Sequence, residues 1–192
     1  MLTKTAARFK LVSYEEASSR VREIYDQTMK ALQLPFVLNW FKCQGNNATL
    51  LEGNWIKLKS TLLEGNVPYI LKQLIIFNVS RERKCDYCAR AHGIFANSMS
   101  GLLSSDENFK VTDDLNSPVL PGSYKTAIKI ITKAAINTNE ITDEDFNELA
   151  REGFTEDETQ ELMAQADLVN MLNTIAILSG IKVDNELFEI KF

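Results

Sequence analysis

Histidine occurs once in this 192-residue chain and cysteine three times. So small and odd a cysteine count does not make a secreted disulfide framework; in a reducing compartment such residues are more often catalytic or metal-binding. Basic charge is in deficit, with 21 Lys and Arg against 26 Asp and Glu for a net charge of −5. Nucleic-acid binders carry a basic footprint, so that class is set aside. No apolar run reaches the roughly 18 residues of a membrane span, and residues 1–9 lack the apolar core of a signal peptide. The expectation is a cytoplasmic protein with no nucleic acid and no membrane as partner. The 45% hydrophobic and 24% charged fractions are ordinary for a globular chain. Such a length supports one well-filled core, read here as a single domain over 1–192 in which N-terminal helices (13–64) pack on a core segment (68–180).

Strand signals are scarce too. Alternation is confined to residues 187–192, too short and isolated to build a sheet, and the fold class is all-α. Ser13 with Glu16 reads as a capping box opening a helix over 14–34, with Pro35 as its stop. An amphipathic run over 48–63 puts Leu51, Trp55, Leu58 and Leu62 on one side. A further helix starts near Pro68, and another spans about 85–101. Residues 103–122, rich in Ser, Asp, Asn and Pro, read as a loop. Beyond it lie an apolar helix over 124–136 and two helices opened by Thr142/Asp145 and Thr155/Glu158, the last ending at Gly180. The acidic run 140–161 reads as a solvated face. Asn170 and Asn173 interrupt the otherwise apolar last helix and need partners if buried.

What chemistry the chain has is concentrated in Lys84-Cys85-Asp86-Tyr87-Cys88-Ala89-Arg90-Ala91-His92, which holds two of the three cysteines and the single histidine. Spacings of three and four residues place Cys85, Cys88 and His92 on one helix face. The thiolate is the reactive form of cysteine. The helix N-terminus, the basic residues Arg81, Arg83, Lys84 and Arg90, and the imidazole one turn on all favour it. One such thiol can attack a peroxide oxygen to give a sulfenic acid that its neighbour resolves to a disulfide. The helix dipole favours Cys85 as the attacking thiol and proximity to His92 favours Cys88. The sequence leaves the choice open, with Cys88 as the preferred peroxidatic thiol and Cys85 as the one that exchanges with a reductant. Zinc is the rival chemistry, with three ligands in place, but it lacks a fourth, Cys43 being the remaining thiol. No cofactor and no metal is expected.

With these residues, the chain resembles the AhpD-like branch of the carboxymuconolactone decarboxylase superfamily, in the group of peroxidase-related alkylhydroperoxidases. The resemblance extends over nearly the whole chain, through Glu15-Glu16-Ala17, Glu23-Ile24-Tyr25, Trp55-Ile56-Lys57-Leu58-Lys59, the CxxCxxxH stretch, Ile141-Thr142-Asp143-Glu144-Asp145 and Arg151-Glu152-Gly153-Phe154-Thr155. It implies an all-helical bundle assembling as a homo-oligomer, a trimer or hexamer. It also implies reduction of a small-molecule hydroperoxide by the dithiol, whose disulfide a thiol reductant or a reductase protein reduces again. Two supporting positions depart from the family pattern. The glutamate expected twelve residues before the first cysteine is Gln73, which cannot take up a proton at neutral pH. The histidine some members carry before the second cysteine is Tyr87. Glu82 is a nearby carboxylate outside the motif register. The alternative function is therefore a redox-sensing or catalytically weakened oligomer whose CxxC forms a disulfide without efficient turnover.

Overall fold

Eight α-helices, three short 3-10 turns and one π-helical turn make up the regular structure of residues 7–190, the span described by this computed structural model, and no strand occurs among the described residues. Ser13 and Glu16 do exchange the expected hydrogen bonds, at 3.3 and 3.4 Å. They close a single turn, however. A second serine, Ser18, in extended conformation and accepting from the Val21 N–H, competes as the cap, so α1 is Ser19–Leu32 and starts five residues later than the sequence predicts. Gln33, in the left-handed region at φ 55°, closes it before Pro35.

The apolar turn that follows holds α2 (Asn39–Lys42), which buries Trp40 and Phe41. In α3 (Ala48–Leu58) and the π-turn after it (Lys59–Leu63), the stripe Leu51, Trp55, Leu58 and Leu62 is buried as expected. Loosened winding leaves carbonyls at this end without helical partners. The buried Lys72 ammonium satisfies them, donating to the Thr61 carbonyl at 3.1 Å and to that of Glu64, and it pairs with Glu161.

Helix α4 (Tyr69–Glu82), entered through Pro68, is the central element, packed against α5 (Asp86–Ser98), α6 (Gly122–Ile136) and α8 (Glu156–Ser179). Being surrounded, it carries apolar residues nearly all round, with Leu71, Leu74, Ile75, Ile76 and Val79 fully buried. Close approach of α5 needs Gly93, where an added Cβ would meet the Phe77 ring at 3.2 Å.

The capping boxes at Thr142/Asp145 and Thr155/Glu158 form and open α7 (Asp143–Arg151) and α8, and Gly180 at φ 68° ends α8. Helix α8 is long and apolar enough, by length and composition, to cross a membrane, which the sequence reading missed; half of that stretch is buried inside the bundle. Leu168, Val169, Leu172 and Ala176 make its core face, while Ile177 and Leu178 are exposed.

The alternation that begins at Leu187 builds no sheet, as expected. Asn185–Phe188 is a 3-10 turn that buries Leu187 and exposes Phe188, and residues 191 and 192 lie outside the described span. The acidic run is not solvated throughout. Asp145 is buried against Lys133 at 2.7 Å, and Glu161 is the partner of Lys72.

Candidate active site

The site is built on the elbow between α4 and α5. Lys84 adopts the left-handed conformation at φ 56°. Its N–H donates to the Arg81 carbonyl at 3.0 Å and the Cys85 N–H to the Ser80 carbonyl at 2.8 Å, the paired bonds of a Schellman ending. Cys85 is also the N-cap of α5. One residue thus closes the first helix and opens the second, which sets its sulfur at the positive end of α5.

From there Cys88 and His92 follow on one face, as predicted. All three cysteines are free thiols, and Cys85 and Cys88, expected from their spacing to form a disulfide, do not lie at disulfide distance. Their environments differ. The Cys88 thiol beside it, then the Cys88 backbone N–H and the Arg83 charge, hold the Cys85 thiol below its ordinary range against the opposing effect of burial. Cys88, whose thiol proton is shared with Cys85 and which is buried, is pushed well above that range, with Asn173 of α8 opposing. Of the four expected basic neighbours, Arg83 acts on Cys85; Arg81 stacks on Phe77 and Arg90 binds Asp86 at 2.8 Å.

Burial drives the His92 pKa down to about 3, so the ring is neutral. Its Nδ1 lies 2.6 Å from Gln73 Oε1. An amide oxygen can only accept, so Nδ1 carries the proton and Nε2 is the free acceptor. Gln73 is fully buried, and its amide nitrogen has no hydrogen-bond partner. Cys88, His92 and Gln73 line a small, partly open cavity of about 40 Å³ walled by Trp40, Phe41 and Phe95, room for a water or a molecule little larger. Cys85 does not line it. It lines instead an open groove of about 620 Å³ with Lys84, Arg90, Lys182 and Phe188.

Tyr87 is placed between the two spaces and is engaged in the framework. Its hydroxyl donates to Asp184 Oδ2 at 2.8 Å and accepts from the Trp40 N–H at 3.3 Å, while Asp184 Oδ1 accepts from the Asn39 N–H at 2.8 Å. The tyrosine therefore staples α5 to α2 and to the C-terminal segment; burial, then the Asp184 charge, push its pKa well above the usual phenol value. Glu82 is exposed, as expected. Cys43 donates its thiol proton to the Trp40 carbonyl at 3.2 Å and lines a separate apolar pocket. Among the described residues no group of three His, Cys, Asp or Glu side chains is arranged to hold a metal ion.

Sequence reasoning missed Asp184 and the contact of Asn173 with the motif. Asn173 donates to Ser80 Oγ at 2.9 Å, directly beside the elbow. A signal for it existed, since an amide interrupting an apolar helix requires a partner.

No protein-family model matches the chain, and no curated protein sequence matches it significantly. Solved structures do. The alkylhydroperoxidase AhpD core of an uncharacterized peroxidase-related protein from Ralstonia eutropha JMP134 superposes with a TM-score of 0.81 at 18% identity, over 96% of this chain and 95% of that one. An uncharacterized peroxidase-related protein from Silicibacter sp. TM1040 gives 0.80 at 20% identity, over 96% and 94%. The chain has the AhpD-core fold. A cysteine-to-alanine variant of the debrominase Bmp8, in complex with 2,3,4-tribromopyrrole, shares this fold with a TM-score of 0.74 at 17% identity, over 96% and 97%. The AhpD-core fold therefore carries more than one chemistry, and the activity of this chain must be argued from its own site.

Proposed function

We propose that the protein reduces small hydroperoxides through a dithiol–disulfide cycle of Cys85 and Cys88, with His92 as proton carrier. The observation that carries this reading is the shared cavity: one thiol, one bare imidazole nitrogen and one amide border a space of about 40 Å³. A dry cavity of about 150 Å³ holds benzene, so this smaller space suits hydrogen peroxide, little larger than water, better than a brominated ring. Cys88 attacks the terminal peroxide oxygen. An S–O bond forms, the O–O bond breaks, and the thiol proton passes by way of His92 Nε2 to the departing oxygen, leaving Cys88 as sulfenic acid and releasing an alcohol or water. The Cys85 thiolate then attacks the Cys88 sulfur, the S–S bond forms, and hydroxide leaves with a proton as water.

A peroxide-consumption assay with a dithiol reductant tests the reading. Reduced protein consumes peroxide and Cys88→Ser falls to background, while Cys85→Ser stops after one turnover with a sulfenic acid on Cys88 that dimedone traps. Undiminished turnover in Cys88→Ser overturns the assignment. The second reading, a redox-responding dithiol with slow turnover, draws on Gln73 and on a His92 held neutral down to about pH 3. It predicts disulfide formation with turnover near background in the same assay.

A further inference from the structure

Cys85 and Cys88 are both buried, at 2% and 1% exposure, yet they border different spaces, and the space on the Cys85 side has a charge. Cys88 borders the small cavity, whereas Cys85 borders the wider groove of about 620 Å³ between the start of α5, the end of α8 and the C-terminal segment. Three cations line that groove, Lys84, Arg90 and Lys182, with Asp86 as the one anion on its lining. Asp86 is already engaged by Arg90 at 2.8 Å. Lys84 and Lys182 are exposed and have no acidic partner among the ion pairs of the described residues. In a chain of net charge −5 this is a local reversal of sign. Ile177, Ile181, Val183 and Phe188 complete the groove with apolar surface.

We infer that this groove is the entry port of the reductant and that it selects a small anionic thiol. The inference rests on the dithiol cycling proposed above and names the electron donor of that site. Thiol–disulfide exchange requires the incoming thiolate to approach along the S–S axis, from the side opposite the leaving sulfur. With Cys88 on the inner side, approach from the groove leads to Cys85. The thiolate attacks Cys85 Sγ, a mixed disulfide forms, and Cys88 leaves as thiolate and takes up a proton. A second thiolate attacks the sulfur of the bound donor, releases the donor as its disulfide, and returns Cys85 as thiolate. Oxidant and reductant thus reach the pair from opposite sides. Lys84 and Lys182 favour a donor carrying a carboxylate or sulfonate close to its thiol, and they disfavour a cationic one.

Full-length protein oxidised with diamide provides the disulfide without recourse to peroxide, so this experiment stands apart from the peroxidase assay. Its reduction is followed with 2-mercaptoethanesulfonate, 2-mercaptoethanol and cysteamine at equal thiolate concentration, each rate divided by that donor's rate with hydroxyethyl disulfide. The expected order is anionic, neutral, cationic, spanning on the order of tenfold at low salt and shrinking in 0.5 M salt, a concentration well into the range where screening acts within a few ångströms. Lys84→Glu with Lys182→Glu reverses the order. Equal rates for the three donors, or the same order in the double variant, overturn the inference while leaving peroxide reduction intact. Failure of diamide to join the pair overturns both.

Discussion

Three residues separate two buried thiols, at 2% and 1% exposure, that border different spaces. Cys85, at the N-cap of α5 with Arg83 near it, is held toward thiolate and borders a cationic groove. Cys88, one turn on, is held as a thiol and borders a small cavity with a neutral imidazole. The contrast shows how a small motif separates two tasks. Neither environment alone makes a cycle: a thiolate without a proton carrier stalls at the departing oxygen, and a buried thiol without a thiolate neighbour stops at sulfenic acid. What is thin in this protein is the inner side, because Gln73 holds His92 in place yet can neither give nor take a proton.

The sharpest way to break the comparison is therefore to supply the inner side with a base. In Gln73→Glu, a carboxylate would accept the His92 Nδ1 proton across the 2.6 Å contact now made by the amide oxygen. The imidazole pKa would then rise from about 3, because an adjacent negative charge favours the protonated ring. Peroxide turnover at neutral pH is expected to increase on the order of a hundredfold, the size of one general-base contribution. Steady-state kinetics on the variant measure it. An unchanged rate would mean that proton transfer is not limiting, and the weakened-enzyme reading would lose its argument.

The inner side also has a pH signature in stability. Folded His92 has its pKa lowered to about 3, against an unfolded value near 6.5, so between these limits the unfolded chain binds the extra proton. Stability from this residue is intact above about pH 6.5 and is lost as pH falls, at about 1.4 kcal/mol per unit. Between pH 6 and pH 4.5, wild type is expected to lose about 2 kcal/mol more than His92→Gln. Denaturant unfolding at the two pH values isolates this difference, since the carboxylates titrate alike in both proteins. Equal losses would show that His92 is solvated and that the cavity is open.

How far this contrast could be read from the chain depends on distance along it. That Cys88 and His92 meet across one turn is a local periodicity, and it was legible, whereas the separate space that Cys85 borders was not. The capping boxes at Thr142 and Thr155 were legible for the same reason. Ser13 misled because Ser18, five residues on, is an equally good cap, and the choice between them is made by where Val21, Ile24 and Tyr25 must be buried. The lowered pKa of Cys85 owes most to the Cys88 thiol, with the Cys88 N–H at the helix start and Arg83 adding to it, and the four cations around it were not equivalent. Which of them turns inward depends on Phe77 and Asp86 competing for Arg81 and Arg90. Asp184 and Asn173 lie 97 and 93 residues from the groups they contact, Tyr87 and Ser80. No local spacing announces such pairs, and they appear once α8 is laid across α4 and α5.

The smallest effect concerns the elbow that separates the two sulfurs. Lys84 holds φ 56°, where a side chain costs about 1 kcal/mol and glycine costs little. The backbone there is fixed from both sides by the Lys84 and Cys85 N–H groups, so it cannot relax by unwinding α4 without losing two hydrogen bonds. Lys84→Gly removes the strain but gives the unfolded chain more freedom, and the two partly cancel. A net gain of about 0.5 kcal/mol is expected, read as a rise in the denaturation midpoint, whereas Lys84→Ile, with branching at Cβ, should lower it by about 1 kcal/mol. Opposite signs for the two substitutions would show that the elbow is held under strain in order to place Cys85 at the head of α5. A loss with glycine as well would instead make the lysine side chain itself part of what holds the turn.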